Sequence, residues 1–213
     1  VSSSRVWLFD LDNTLHDANP HIFPHINRSM REYIERELGV DEAEATRIRQ
    51  GYWERYGATL LGLVRHHGTD PRHFLWHTHQ FADLRRMTVY DRALAGMLRR
   101  LPGRKIVFSN APRHYTEAIL DILGVRRLFA AVWSIERLGF QPKPLPEAFR
   151  RLLQGERLRP EQCVFIEDSP ANLKTAKRLG MKTVLIARGT RVPAWVDLRL
   201  KSALDLPRAL HKL

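Results

Sequence analysis

With 213 residues, 44% of them hydrophobic, the chain is long enough to bury the core of one domain plus a modest insertion. No apolar run approaches the roughly 18–20 residues that span a bilayer, Val1-Ser2-Ser3-Ser4-Arg5 lacks the apolar stretch of a signal peptide, and a lone cysteine, Cys163, cannot form an internal disulfide. These features together favour a cytoplasmic protein. The net charge of +12 is lopsided: residues 1–90 hold 11 Lys/Arg against 12 Asp/Glu, whereas residues 91–213 hold 24 against 11. Lacking aromatic-interleaved basic stretches and zinc-finger spacing, this excess reads as a solvated basic face, and nucleic acid is not expected as a partner. A positive field would also draw in anionic substrates.

The first element is the apolar run Val6–Phe9, a strand that ends in Asp10-Leu11-Asp12-Asn13-Thr14-Leu15. From about Asp17 to Tyr90 no convincing strand follows. Helical periodicity appears at Ile22–Leu38, Ala43–Tyr56, Ala58–His67 and Pro71–Phe81. Asp41 with Glu44 resembles a capping box, and Asp70-Pro71 an N-cap followed by a first-turn proline. Further strands are expected at Lys105–Phe108, Ala130–Ser134, Gln162–Ile166 and Thr183–Ala187. Helices at Pro112–Leu123, Leu145–Leu153 and Pro170–Leu179 alternate with them, Pro112 and Pro170 as first-turn prolines and Gly124 and Gly180 as stops. Such alternation predicts an α/β fold with a doubly wound parallel sheet. Residues 1–16 and 91–213 form its core, residues 17–90 an inserted all-helical unit. Pro193 to Leu213 is a small terminal segment of undetermined conformation.

Four of these segments end in polar signatures: the Asp10/Asp12 pair, Ser109-Asn110, Lys143 within Gln141-Pro142-Lys143-Pro144, and Glu167-Asp168-Ser169. In a parallel sheet all strand C-termini share one edge, so these loops converge where open α/β sheets place ligands. An acidic pair, a hydroxyl, a lysine and a second acidic pair suit a magnesium-dependent phosphate site. Histidines invite another reading, because eight of ten lie between His16 and His79. Neighbours such as His66-His67 and His77/His79 do not share a helix face, however, so they read as surface or packing residues rather than a metal site. Trp53 reads as helix-packing core, and Tyr56 is left open as packing or as a surface for a base.

The motifs and their order resemble the haloacid dehalogenase-like hydrolase superfamily, on its phosphatase side, with a helical cap after the first motif. The segment Tyr52–Leu63 is further similar to the Y-G-x-T-L-x-G-L stretch of the pyrimidine 5′-nucleotidase-like subgroup, although that subgroup often has Asp-Asp where this chain has Glu167-Asp168. The resemblance implies a Rossmann-like core and a Mg²⁺-dependent phosphomonoesterase that hydrolyses a small phosphorylated substrate, such as a nucleoside 5′-monophosphate, through an aspartyl-phosphate. It implies Asp10 as nucleophile and Asp12 as acid and base, with the Asp10 charge raising the Asp12 pKa. Ser109, Lys143 and the N–H groups around Leu11, Asp12 and Asn110 would bind phosphate. The Asp10 side chain, the Asp12 backbone carbonyl and Asp168 would bind metal, with Glu167 in the first or second shell, and Thr14 and Asn172 would support the loops. The second aspartate, which haloalkanoate dehalogenases generally lack, favours phosphoryl transfer. Competing readings are a sugar-phosphate phosphatase or phosphomutase, a phospho-acceptor signalling module, and a nucleic-acid-binding module; oligomeric state is not legible.

Overall fold

A computed structural model describes residues 5–189 and 192–213; Val1–Ser4, on which the expectation of no signal peptide rests, lie outside them. Six parallel strands form one sheet in the order β3-β2-β1-β4-β5-β6. They are β1 (Val6–Phe9), β2 (Arg104–Phe108), β3 (Ala131–Trp133), β4 (Cys163–Glu167), β5 (Lys182–Ile186) and β6 (Leu198–Leu200). The central strand β1 pairs with β2 through Val6↔Arg104 to Phe9↔Val107 and with β4 through Val6↔Cys163 to Phe9↔Ile166. A strand covered on both faces needs a continuous apolar run, and all four β1 residues are buried. The chain winds outward from β1 through β2 to β3, then crosses back to β4 on the other side of β1. The resulting switch point lies at the end of β1, just where Asp10 begins.

Alternation along the strands divides the core. Trp7, Phe9, Val107, Val164 and Ile166 face one layer, with α1 (Ile22–Leu38), α6 (Leu94–Arg100) and α7 (Arg113–Ile122). Val6, Leu8, Ile106, Phe108 and Phe165 face the other, with α8 (Pro146–Glu156) and α9 (Pro170–Arg178). Trp7 is only 1% exposed, and its indole N–H is satisfied by donating to Pro102 O at 2.6 Å. Phe108, Phe149 and Phe165 pack at centroid distances of 5.0 to 5.8 Å, two of the three pairs edge-on.

Between β1 and β2 lie only helices and two isolated bridges. α1, α2 (Glu42–Tyr56), α3 (Thr59–His67) and α4 (Pro71–Thr78) share a cluster built on Tyr33, Ile34, Leu60, Leu63 and Phe74, which Ile135 and Phe140 join from the loop after β3. Asp41 and Asp70 cap α2 and α4 by accepting from Glu44 N–H and His73 N–H, each at 2.8 Å. Pro71 opens α4, which ends at Thr78, three residues short of its expected end. Two helices had no strong periodic signal, α5 (Leu84–Met87) and α6. Pro112 is the N-cap of α7 rather than a first-turn residue, whereas Pro170 does open α9.

Trp53 departs from expectation: it is 62% exposed, and on α2 only Ala45 is buried. The inward aromatic is Tyr52, whose ring lies so close to Gly62 of α3 that a Cβ there would stand 2.1 Å from Tyr52 Cγ. The terminal segment supplies β6 and the short α10 (Leu206–Ala209). Asp197 fastens it to β5 by accepting from Thr183 N–H and Oγ1, both at 2.9 Å, and from Lys177 Nζ at 2.6 Å.

Candidate active site

The four signatures meet at the C-terminal edge of β1, β2 and β4. Asp10 N–H donates to Ile166 O at 3.0 Å, extending the β1–β4 ladder by one step. Lys143, only 1% exposed, projects into the centre. Its Nζ donates to Asp10 Oδ1 at 2.7 Å, to Glu167 Oε2 at 2.9 Å and to Phe108 O at 2.7 Å, which uses all three ammonium protons. Burial alone would depress this lysine, but the charges of Asp10 and Glu167 outweigh it and hold it above the ordinary value. Asn110 fixes the lysine's backbone, donating through Nδ2 to Lys143 O at 2.9 Å and accepting from Lys143 N–H at Oδ1, 2.8 Å. An N–H contribution was expected of Asn110; the structure adds a side-chain clasp between the second and third motifs.

Asp10, Glu167 and Asp168 each bring a carboxylate oxygen within 4.8 Å of the others. Glu167 is saturated by hydrogen bonds. Oε1 accepts from the N–H groups of Asp168 and Ser169, both at 3.1 Å, and Oε2 from Lys143 and from Asn172 Nδ2 at 2.8 Å. Burial works to raise its pKa, but Lys143 and these donors hold it low. Burial, reinforced by the Glu167 charge, pushes Asp10 up to about 7 against the pull of Lys143. Burial and Glu167 likewise push Asp168 up to about 8. One ammonium thus serves Asp10 and Glu167 while Asp168 beside them has none, and Asp10 and Asp168 are both driven up toward neutrality. Hard oxygen donors with a deficit of positive charge fit a divalent cation. A cavity of about 630 Å³, with Asn13, Tyr90 and Asp168 in its walls, opens the Asp168 side to solvent.

Asp12 does not behave as expected. Burial would raise its pKa, but His16 and Tyr115 reverse the shift and hold the carboxyl below its usual value. Tyr115 OH donates to Asp12 Oδ1 at 2.6 Å, and His16 Nε2 lies 2.9 Å from the same oxygen. Asp10's charge was expected to raise it; instead the donors at Oδ1 outweigh burial and hold it low, and the carboxyl driven upward is Asp10 itself. Neither His16 nor Tyr115 belongs to a motif. His16 is one turn beyond Asp12 in the loop, and Tyr115 sits on the first turn of α7; no sequence pattern marks a tyrosine there. Burial also pushes the nearby His79 down to about 4.

Ser109 is buried beside Lys143's carbonyl partner Phe108, and its Oγ accepts from Ala111 N–H at 3.0 Å, leaving the hydroxyl proton to be donated. Thr14 is buried, its N–H donating to Leu11 O at 3.3 Å, and its hydroxyl has no partner among the described residues. Asn13 makes the loop's side-chain bonds. In the left-handed region at φ 61, it accepts from Ala18 N–H at 3.0 Å and donates to Asp168 Oδ2 at 3.3 Å. Among the described residues no trio of histidines forms a metal cluster; His66 and His67 contact Tyr56 and Tyr52.

The chain is 27% identical over 199 residues to Phosphate metabolism protein 8 of Saccharomyces cerevisiae, covering 85% of this chain but only 61% of the yeast protein. It is 29% identical over 206 residues to a phosphoglycolate phosphatase of Rhodospirillum rubrum, covering 85% and 79% of the two chains. Among solved structures, a HAD phosphatase from Thermococcus onnurineus superposes with a TM-score of 0.64 at 22% identity, covering 97% of both chains. An L-2-haloacid dehalogenase from Xanthobacter autotrophicus superposes at 0.61 and 16% identity, covering 98% of both, and shares the fold alone. With residues 5–180 matching the model of haloacid dehalogenase-like hydrolases, the chain belongs to that family.

Proposed function

We propose that the protein is a magnesium-dependent phosphomonoesterase working through an aspartyl-phosphate on Asp10. The observation that carries this reading is the Lys143 ammonium bridging Asp10 and Glu167 at 2.7 and 2.9 Å beside Asp168. An ordinary surface lysine has no reason to be buried between two carboxylates, whereas a site for a dianionic phosphate and a divalent ion needs that charge pattern. The phosphatase names of several relatives support the same choice.

Asp10 attacks phosphorus through a carboxylate oxygen, and the bond from phosphorus to the leaving oxygen breaks with its electron pair on that oxygen. Asp12 gives the leaving oxygen a proton and later takes one from the water that attacks the aspartyl-phosphate. Donors hold the resting Asp12 carboxyl low, so that proton enters with the substrate. Lys143 and the Ser109 hydroxyl hold phosphoryl oxygens, assisted by N–H groups of Leu11, Asp12 and Asn110. Asp10, the Asp12 carbonyl and Asp168 would hold the ion, which would supply positive charge to offset the repulsion between carboxylate and phosphate. Glu167, its oxygens already accepting four hydrogen bonds, serves from behind by orienting Lys143 and Asn172.

Residues 17–90 act as a cap. Its two ends meet where Asp17 N–H donates to Val89 O at 2.8 Å. A nucleoside monophosphate is the finer reading. The corner after α2 abuts the loop of Lys143, since a Cβ on Gly57 would stand 3.2 Å from Pro144 Cδ. On α2 and α3, which meet at this corner, Tyr52 stacks on His66 at 5.3 Å, and Tyr56 OH lies 2.6 Å from His66 Nε2. This aromatic surface suits a base better than a short carboxylate. A panel of nucleoside monophosphates, phosphoglycolate and sugar phosphates, assayed with magnesium and with chelator, tests both levels. Magnesium-dependent release of phosphate that Asp10→Asn abolishes is expected. Turnover in chelator, or in the folded Asp10→Asn variant, overturns the mechanism, and a preference for phosphoglycolate overturns the nucleotide reading.

A further inference from the structure

We propose that Tyr115 and His16 are positioning residues that fix the Asp12 carboxylate through Oδ1, so that Oδ2 meets the leaving-group oxygen. The proposal rests on the phosphatase reading of this site and adds two residues outside its four motifs. The geometry is one-sided. Tyr115 OH at 2.6 Å and His16 Nε2 at 2.9 Å both engage Oδ1, while Oδ2 has no hydrogen-bond partner among the described residues. A carboxylate gripped at one oxygen cannot rotate to offer either oxygen at random, and a proton donor works only when held near its acceptor.

The tautomer of His16 follows from its surroundings. Nδ1 is buried without a partner, whereas Nε2 lies 2.9 Å from a carboxylate oxygen, which accepts, so the ring donates from Nε2 to Oδ1. Both grips are themselves held. The His16 side chain is fully buried, and Tyr115 is 1% exposed. Tyr115 also lies under the cap corner that follows α4: the rings of His79 and Phe81 stand 5.7 and 5.5 Å from it, and His114 Nε2 lies 3.2 Å from His79 O. Tyr115 therefore ties three elements to one carboxylate oxygen: the loop after β1, the helix after the second motif, and the cap.

Positioning of a leaving-group acid has a signature that general loss of structure lacks. When the bond to the leaving oxygen breaks, a poor leaving group needs the proton and a good one does not. Specificity constants for a series running from alkyl phosphates to p-nitrophenyl phosphate report that step, because kcat/KM ends at formation of the aspartyl-phosphate. Tyr115→Phe keeps the ring and removes only the hydroxyl. It should lose about a hundredfold on alkyl phosphates, the lower end of a general acid's contribution, and at most about tenfold on p-nitrophenyl phosphate. His16→Ala should show the same tilt, and His16→Gln, whose amide N–H can reach Oδ1, should recover much of it. Equal losses along the series in both variants, or no loss, overturn the positioning role while leaving the phosphatase reading intact. A wild-type chain inactive on every phosphomonoester in magnesium overturns the phosphatase reading and this inference with it.

Discussion

Replacing Lys143 by methionine keeps the length of the side chain and removes its charge and its three protons. Asp10 and Glu167 are then left buried opposite each other with no ammonium between them. Two charge-assisted hydrogen bonds disappear, each worth about 1.5–3 kcal/mol, and breaking a buried ion pair from one side costs about 3–5 kcal/mol. Because Lys143 is 1% exposed, water cannot screen the loss. At pH 8 in chelator the variant should therefore unfold in urea about 3–5 kcal/mol more easily than the wild type. The sign of the pH effect follows from the stranded carboxylates. Without the ammonium, Asp10, already above its unfolded pKa, rises further and Glu167 loses the charge that held it low, so the folded variant binds more protons and gains stability as pH falls. By pH 6 the gap should close by about 1 kcal/mol or more, one proton being worth about 1.4 kcal/mol per pH unit. Magnesium should narrow it too by replacing the missing charge. A loss below about 1 kcal/mol at pH 8, or one indifferent to both pH and magnesium, refutes the view of Lys143 as the cation that makes this cluster tolerable.

Other expectations follow from the same packing. In chelator the wild-type chain should gain stability as pH falls from 8 to 7, because Asp168 at about 8 and Asp10 at about 7 bind protons in the folded state that the unfolded chain does not; magnesium should flatten this slope in thermal melts, and a flat slope in chelator contradicts the charge deficit. Gly62→Ala places a methyl 2.1 Å from Tyr52 Cγ, and the clash should exceed the helix-propensity gain, for a net loss of about 1–2 kcal/mol in urea unfolding; a stabilised variant would mean that Tyr52 swings away freely. Burial pushes the Cys163 thiol up to about 12, so alkylation of the folded chain should be slower than of the unfolded chain by a factor on the order of 10³; comparable rates, followed by mass spectrometry, would contradict the burial.

The sheet and the meeting of the four motifs are legible because both depend on local pattern. Val6–Phe9 is an unbroken apolar run, and an apolar run ending in a carboxylate can only be a strand pointing at the switch edge once its neighbours are parallel. The helices Ile22–Leu38 and Thr59–His67 are legible from their period. What escapes is what tertiary partners decide. Asp12 sits two residues from Asp10, which suggests mutual repulsion, yet the two groups that govern it come from His16 and from a helix a hundred residues on. Trp53 lies beside Tyr52, and nothing local says which ring turns toward Gly62. β6 is three residues long with an arginine in the middle, too short for alternation to register, and is specified by Asp197 reaching back to Thr183.

The most direct test is to mix the protein with a turned-over phosphomonoester and magnesium, quench in acid within a turnover, and map the digest by tandem mass spectrometry. The account predicts one added phosphoryl group on the peptide containing Asp10, assigned to Asp10, absent from Asp10→Asn and short-lived in the wild type. Phosphate released at full rate with no phosphoryl on that peptide, or with the label on Asp12 or Asp168, would contradict it.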